Sequence, residues 1–146
     1  DRISFDLKPW LKEELFLLEK DFREKVKNFD WKSFDNKAVF IICSNDAIIP
    51  DWAFILVSSS LNNEGIVNVI GSKEILDIKL ITDSISAFDF SIYKGKPVII
   101  KGCSDQKIPL SAYSVLLEKL QHQAKSIMFG EACSSVPIYK SLKKSN

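Results

Sequence analysis

The chain has 146 residues, with 20 basic and 19 acidic side chains and a formal net charge of +1. At 46% hydrophobic and 27% charged it has the make-up of a globular protein, not of a disordered one, and its length predicts one domain that folds without staples. The balanced charge gives no reason to expect nucleic acid or an anionic membrane surface as partner, and no apolar run is long enough to cross a bilayer.

Residues 10–29 predict a leading helix. Leu11, Leu15, Leu18, Phe22, Val26 and Phe29 recur at threes and fours, while Glu13, Glu19, Arg23 and Lys27 take the opposite face. Pro9 stands where a first helical turn tolerates it. Four short apolar runs follow, at 38–43, 66–70, 97–103 and 126–132, and most lack the alternation of a half-exposed strand. Helical patterns separate them at 51–61, 73–85 and 110–124; in the last, Ala112, Val115, Leu116 and Leu120 form an apolar stripe. The expectation is a single α/β domain over residues 1–146. A helix at 10–29 would lead into an alternating core at 37–140, a mainly parallel four-stranded sheet with helices on both faces. Trp10, Trp31 and Trp52 read as packing anchors, and residues 143–146 as a frayed tail.

The most informative feature is a repeated motif. Cys43-Ser44-Asn45-Asp46-Ala47-Ile48-Ile49-Pro50 precedes Ala53-Phe54 and Leu56. Cys103-Ser104-Asp105-Gln106-Lys107-Ile108-Pro109 precedes Ala112-Tyr113 and Leu116, and Cys133-Ser134-Ser135-Val136-Pro137 is a shorter version. Each cysteine thus falls at the carboxyl end of an expected parallel strand, where open α/β sheets bind ligands. If the second run lies outside the first, and the third and fourth lie inside it, the three cysteine-bearing strands are neighbours about 4.8 Å apart. Such thiols would also lie near helix N-termini, which favour thiolate. Cys43, Cys103 and Cys133 with Asp46 or Asp105 form a donor set suited to zinc or iron. A reactive thiol and structural cysteines in tight turns remain open alternatives. Lys101 and Glu131 border the proposed site. His122, near a helix end, reads as a surface residue, and Gly71-Ser72 is too short to be a glycine-rich anion loop.

Glu19-Lys20-Asp21-Phe22-Arg23-Glu24, Cys43 through Trp52, Lys101-Gly102-Cys103-Ser104-Asp105 and Ile127 through Lys140 resemble the bacterial "domain of unknown function 2480" family. The resemblance covers nearly the whole chain and is closest in Ile127-Met128-Phe129-Gly130-Glu131-Ala132-Cys133-Ser134-Ser135-Val136-Pro137-Ile138-Tyr139-Lys140. It implies a genomic context beside the sulfur-mobilisation (Suf) machinery of iron–sulfur assembly. It also implies a further short N-terminal segment, consistent with a first residue of Asp1 rather than Met. The family pattern matches at Cys43, Asp46, Cys103 and Cys133, and departs at His122, where members commonly carry Pro.

The resulting expectation is a cytoplasmic accessory of iron–sulfur cluster assembly. It would hold zinc, iron or a cluster through Cys43, Cys103 and Cys133, with Asp46 as fourth ligand, and need not turn over a substrate. Its partners would be assembly proteins, with neither nucleic acid nor membrane among them; the oligomeric state is open. The alternatives are a cysteine-dependent enzyme working through a persulfide or acyl intermediate, and a non-catalytic interaction module with structural cysteines.

Overall fold

The computed structural model describes residues 1–102 and 108–142. The chain divides into two compact units, Asp1–Lys79 and Leu80–Asn146. The first contains β1 (Arg2–Asp6), a 3-10 turn (Lys8–Trp10), α1 (Glu19–Asn28), a second 3-10 turn (Trp31–Phe34), β2 (Ala38–Ile42), α2 (Asp51–Asn63) and β3 (Asn68–Ile70). Helix α3 (Lys73–Ala87) starts in the first unit and ends in the second. There follow a 3-10 turn (Phe90–Tyr93), β4 (Pro97–Ile100), α4 (Leu110–Gln121), β5 (Ser126–Phe129) and β6 (Val136–Lys140).

The protein is α/β, but the expected four-stranded sheet is not what forms. There are two three-stranded sheets. In the first, β1, β2 and β3 are parallel with β2 in the centre. In the second, β4 and β5 are parallel, and β6 returns antiparallel beside β5. Both edges of β2 are taken by β1 and β3, so the run at 97–103 has no edge of β2 on which to pair. Strand β1 carries the period-two pattern Ile3, Phe5, Leu7. Strand β6 contains Pro137, which suits only an edge position. Its connection to β5 is too short for the crossover a parallel pair needs, so it returns antiparallel.

The leading helix is also shorter than the periodicity predicts. Pro9 sits in the 3-10 turn, and Glu13 and Glu14 adopt left-handed φ of 53° and 58°. A bridge between Lys12 and Phe16 closes this strap, and α1 starts only at Glu19. The strap lets Leu11 reach the core and leaves Leu15 and Phe16 exposed. From there the expected face holds, with Phe22 and Val26 buried.

Alternation on β2 buries Val39 and Ile41 against Ala53, Val57 and Leu61 of α2 and against Phe22 and Val26 of α1. Pro50, in extended conformation, stands at the N-cap of α2. Phe5 anchors an aromatic cluster with Trp10, Phe29, Trp31 and Phe34, with ring centroids 5.1–6.1 Å from its own. Trp31 satisfies its indole N–H on the Val26 carbonyl at 2.8 Å. Asn68 is polar and buried; it accepts from Ser58 at 2.6 Å and donates to Asn62 at 2.7 Å and to the Ile66 carbonyl at 2.9 Å, which offsets its desolvation. The second unit has a thinner core, built on Leu120, Ala124 and Ile127 with Phe90, Tyr93, Val98, Ile100 and Leu116 partly buried around it.

Candidate functional site

Cys43 lies one residue beyond β2, at the carboxyl edge of the central strand of the first sheet. It is half-buried, and its thiol donates to Asn45 Oδ1 at 3.1 Å. The same oxygen accepts the Ala47 N–H at 3.2 Å, closing an Asx turn. Asn45 Nδ2 donates in turn to the Glu14 carbonyl, which ties the cysteine loop to the strap before α1. From the other side, Asp6 Oδ1 accepts the Ser44 and Lys8 N–H groups, each at 3.0 Å. Partial burial pushes the Asp6 carboxyl up. The Ser44 hydroxyl, the Lys8 and Ser44 backbone N–H groups and the Lys8 charge outweigh it, so its pKa lies below the ordinary value. Asp46 is exposed in this loop.

Sequence patterns alone do not single out Asp6 and Asn45 as the braces of the Cys43 loop. The readable signals were the Asn in Cys43-Ser44-Asn45, a turn former, and an Asp closing an alternating strand pattern.

Cys133 is exposed in the connection between β5 and β6, where the Ser134 N–H donates to the Glu131 carbonyl at 2.9 Å. Upstream, the Gly130 N–H donates to the Ile100 carbonyl at 2.9 Å, and Lys101 Nζ lies 3.7 Å from Glu131 Oε2. The ends of the neighbouring strands β4 and β5 therefore run abreast, with an exposed ion pair across them. Cys103 and Asp105, assigned to the site from the sequence, lie outside the described residues.

Cys43 and Asp46 belong to the first unit and Cys133 to the second. The strand order expected to set three cysteine-bearing strands side by side is not observed, because β2 is flanked by β1 and β3. Among the described residues, no three or more His, Cys, Asp or Glu side chains gather as a metal-binding group. His122 is exposed at the C-cap of α4. Ser72 is engaged at the start of α3, its hydroxyl accepting the Ile75 N–H at 3.4 Å and its carbonyl the Leu76 N–H at 3.1 Å. Trp10, Trp31 and Trp52 all pack against the first core, and the Arg23 guanidinium lies 5.0 Å from the Trp52 ring centroid. Among the described residues, no helix is long and apolar enough to span a membrane.

No curated protein and no solved structure matches the chain. Residues 1–141 match the family described as "Protein of unknown function (DUF2480)", and the chain belongs to that family.

Proposed function

We propose that the protein is a cytoplasmic accessory of iron–sulfur cluster assembly whose strand-end cysteines hold a thiophilic metal ion or a cluster. The observation that carries this reading is the pairing of β4 with β5, with Lys101 and Glu131 in contact at 3.7 Å across their ends. Cys103 and Cys133 each follow that pair by two residues in sequence, and adjacent strands are spaced by about 4.8 Å. Two thiolates suit zinc or iron and leave coordination positions for ligands from outside. Cys43 and Asp46, in the first unit, are the further donors the three-cysteine reading requires. The pathway is taken from the genomic context that the family resemblance implies, and assembly proteins are its partners.

The test is elemental analysis with an absorption spectrum on anaerobically purified protein and on its Cys-to-Ser variants. About one zinc or iron per chain is expected, lost in Cys103→Ser and Cys133→Ser with the fold retained. Loss in Cys43→Ser as well would bring the first unit into the ligand set. Protein that stays metal-free after reconstitution overturns the proposal.

A second reading, a cysteine-dependent enzyme, is favoured by the place of Cys43 at the carboxyl edge of the central strand of a parallel sheet, where such sheets bind ligands. It requires Cys43 to alkylate faster than exposed Cys133 at neutral pH, the reverse of the order that exposure alone dictates.

A further inference from the structure

The two units repeat one another at a constant separation along the chain. Val39 faces Asn68 across β2 and β3, and Val98 faces Ile127 across β4 and β5. The Gly71 N–H donates to the Ile41 carbonyl at 3.0 Å, and the Gly130 N–H to that of Ile100 at 2.9 Å. Asn36 and Gly95 open the two strands with left-handed φ of 64° and 70°, and Pro50 and Pro109 stand at the N-caps of α2 and α4. Trp31 and Phe34 in the 3-10 turn before β2 correspond to Phe90 and Tyr93 in the 3-10 turn before β4, and Phe29 corresponds to Phe88.

The repeat fails at one place. In the first unit, the outer edge of β2 carries β1. The Ala38 N–H donates to the Asp1 carbonyl and the Leu7 N–H to that of Ile42, both at 2.9 Å. Phe5 of β1 then fills the space against Trp31 at 5.2 Å and Phe34 at 6.1 Å. In the second unit, among the described residues, the corresponding edge of β4 carries no strand. In place of a Phe5 there is a groove of about 330 Å³, lined by Phe88, Phe90, Tyr93, Val98, Ile100 and Leu116 among others. Val39 and Ile41 are buried where their counterparts Val98 and Ile100 are only half-buried, and Phe88 is 48% exposed.

We propose that this groove and the open edge of β4 bind an extended apolar segment of a partner protein. The segment adds to β4 as a parallel strand and seats an aromatic ring against Phe90 and Tyr93. The first unit supplies the occupant's chemistry: apolar residues at alternate positions with an aromatic in the middle, as in Ile3, Phe5 and Leu7. Main-chain bonds along the edge give such segments affinity, and the side-chain pocket gives them specificity. Pro97 stands where Ala38 does and has no N–H, so the bond that Ala38 makes to Asp1 has no counterpart there and the pocket carries more of the binding. Two copies of the chain related by a two-fold axis would pair their β4 edges antiparallel, which does not reproduce the parallel arrangement of the first unit.

The test is fluorescence anisotropy of a labelled peptide with the sequence of residues 1–8, titrated with the full chain. Saturable binding is expected, weakened at least about tenfold by Phe5→Ala in the peptide and by Phe88→Glu in the chain. Ser84→Glu, at an exposed position lining the groove, serves where Phe88→Glu lowers the melting temperature. No saturation by about 1 mM would overturn the proposal, as would equal binding of the Phe5→Ala peptide. Binding insensitive to both groove variants would place the peptide elsewhere and overturn it too. A dimer that must dissociate before the peptide binds would give the groove to a second copy and overturn it as well.

Discussion

Leu61 and Leu120 occupy matching places on α2 and α4, and truncating each to alanine should cost different amounts. Both are buried, at 0% and 2% exposure, and both substitutions remove the same three carbons. At about 0.8 kcal/mol for each buried carbon, the transfer cost is about 2.4 kcal/mol in either case. Leu61 is fully buried in the larger core, and the void it leaves is enclosed by that core. A sealed cavity adds its own cost, giving about 4 kcal/mol. Leu120 lines the groove beside β4, so the space it vacates joins that groove instead of being sealed. The loss there should stay near 2.4 kcal/mol. Urea denaturation is the assay, with circular dichroism reporting both units and tryptophan fluorescence the first, which holds all three tryptophans. Equal losses, or a larger loss for Leu120→Ala, would refute the reasoning, since they mean that the groove is filled in solution.

Two further predictions concern the loops that carry the cysteines. The depressed pKa of Asp6 contributes stability that is present above the unfolded carboxyl value near about 3.9 and is lost as pH falls through the folded value. Asp6→Asn should therefore cost about 1–2 kcal/mol at neutral pH and flatten the acid limb of stability against pH, read from urea midpoints between about pH 6 and pH 3. Gly130 holds a φ of 117°, and a Cβ there would lie 3.3 Å from the Ser134 carbonyl oxygen and 3.4 Å from Ser135 Cα. Gly130→Ala should destabilise the turn bearing Cys133 by about 1–3 kcal/mol; an unchanged melting temperature would show that the backbone yields.

Much of the local structure is legible in the sequence because it depends on neighbours along the chain. Short apolar runs mark β2, β4 and β5, Pro50 and Pro109 mark the starts of α2 and α4, and the Cys-Ser-to-Pro motif marks a repeat that the matching hydrogen bonds bear out. Periodicity misleads at residues 10–18, where burying Leu11 needs a left-handed strap that a helical pattern does not encode. What only the tertiary structure decides is pairing, because hydrogen bonds between strands join residues far apart in sequence, and hydrophobic patterning specifies a buried face without naming what covers it. Hence β1 and β6 take edges that patterning does not name, one sheet becomes two, and Phe5 fills in the first unit the space whose counterpart stands open beside β4. The same reason governs the cysteines. The place of Cys43 just beyond β2 can be read from the sequence pattern, whereas the distance between one thiol and another is a property of the folded chain.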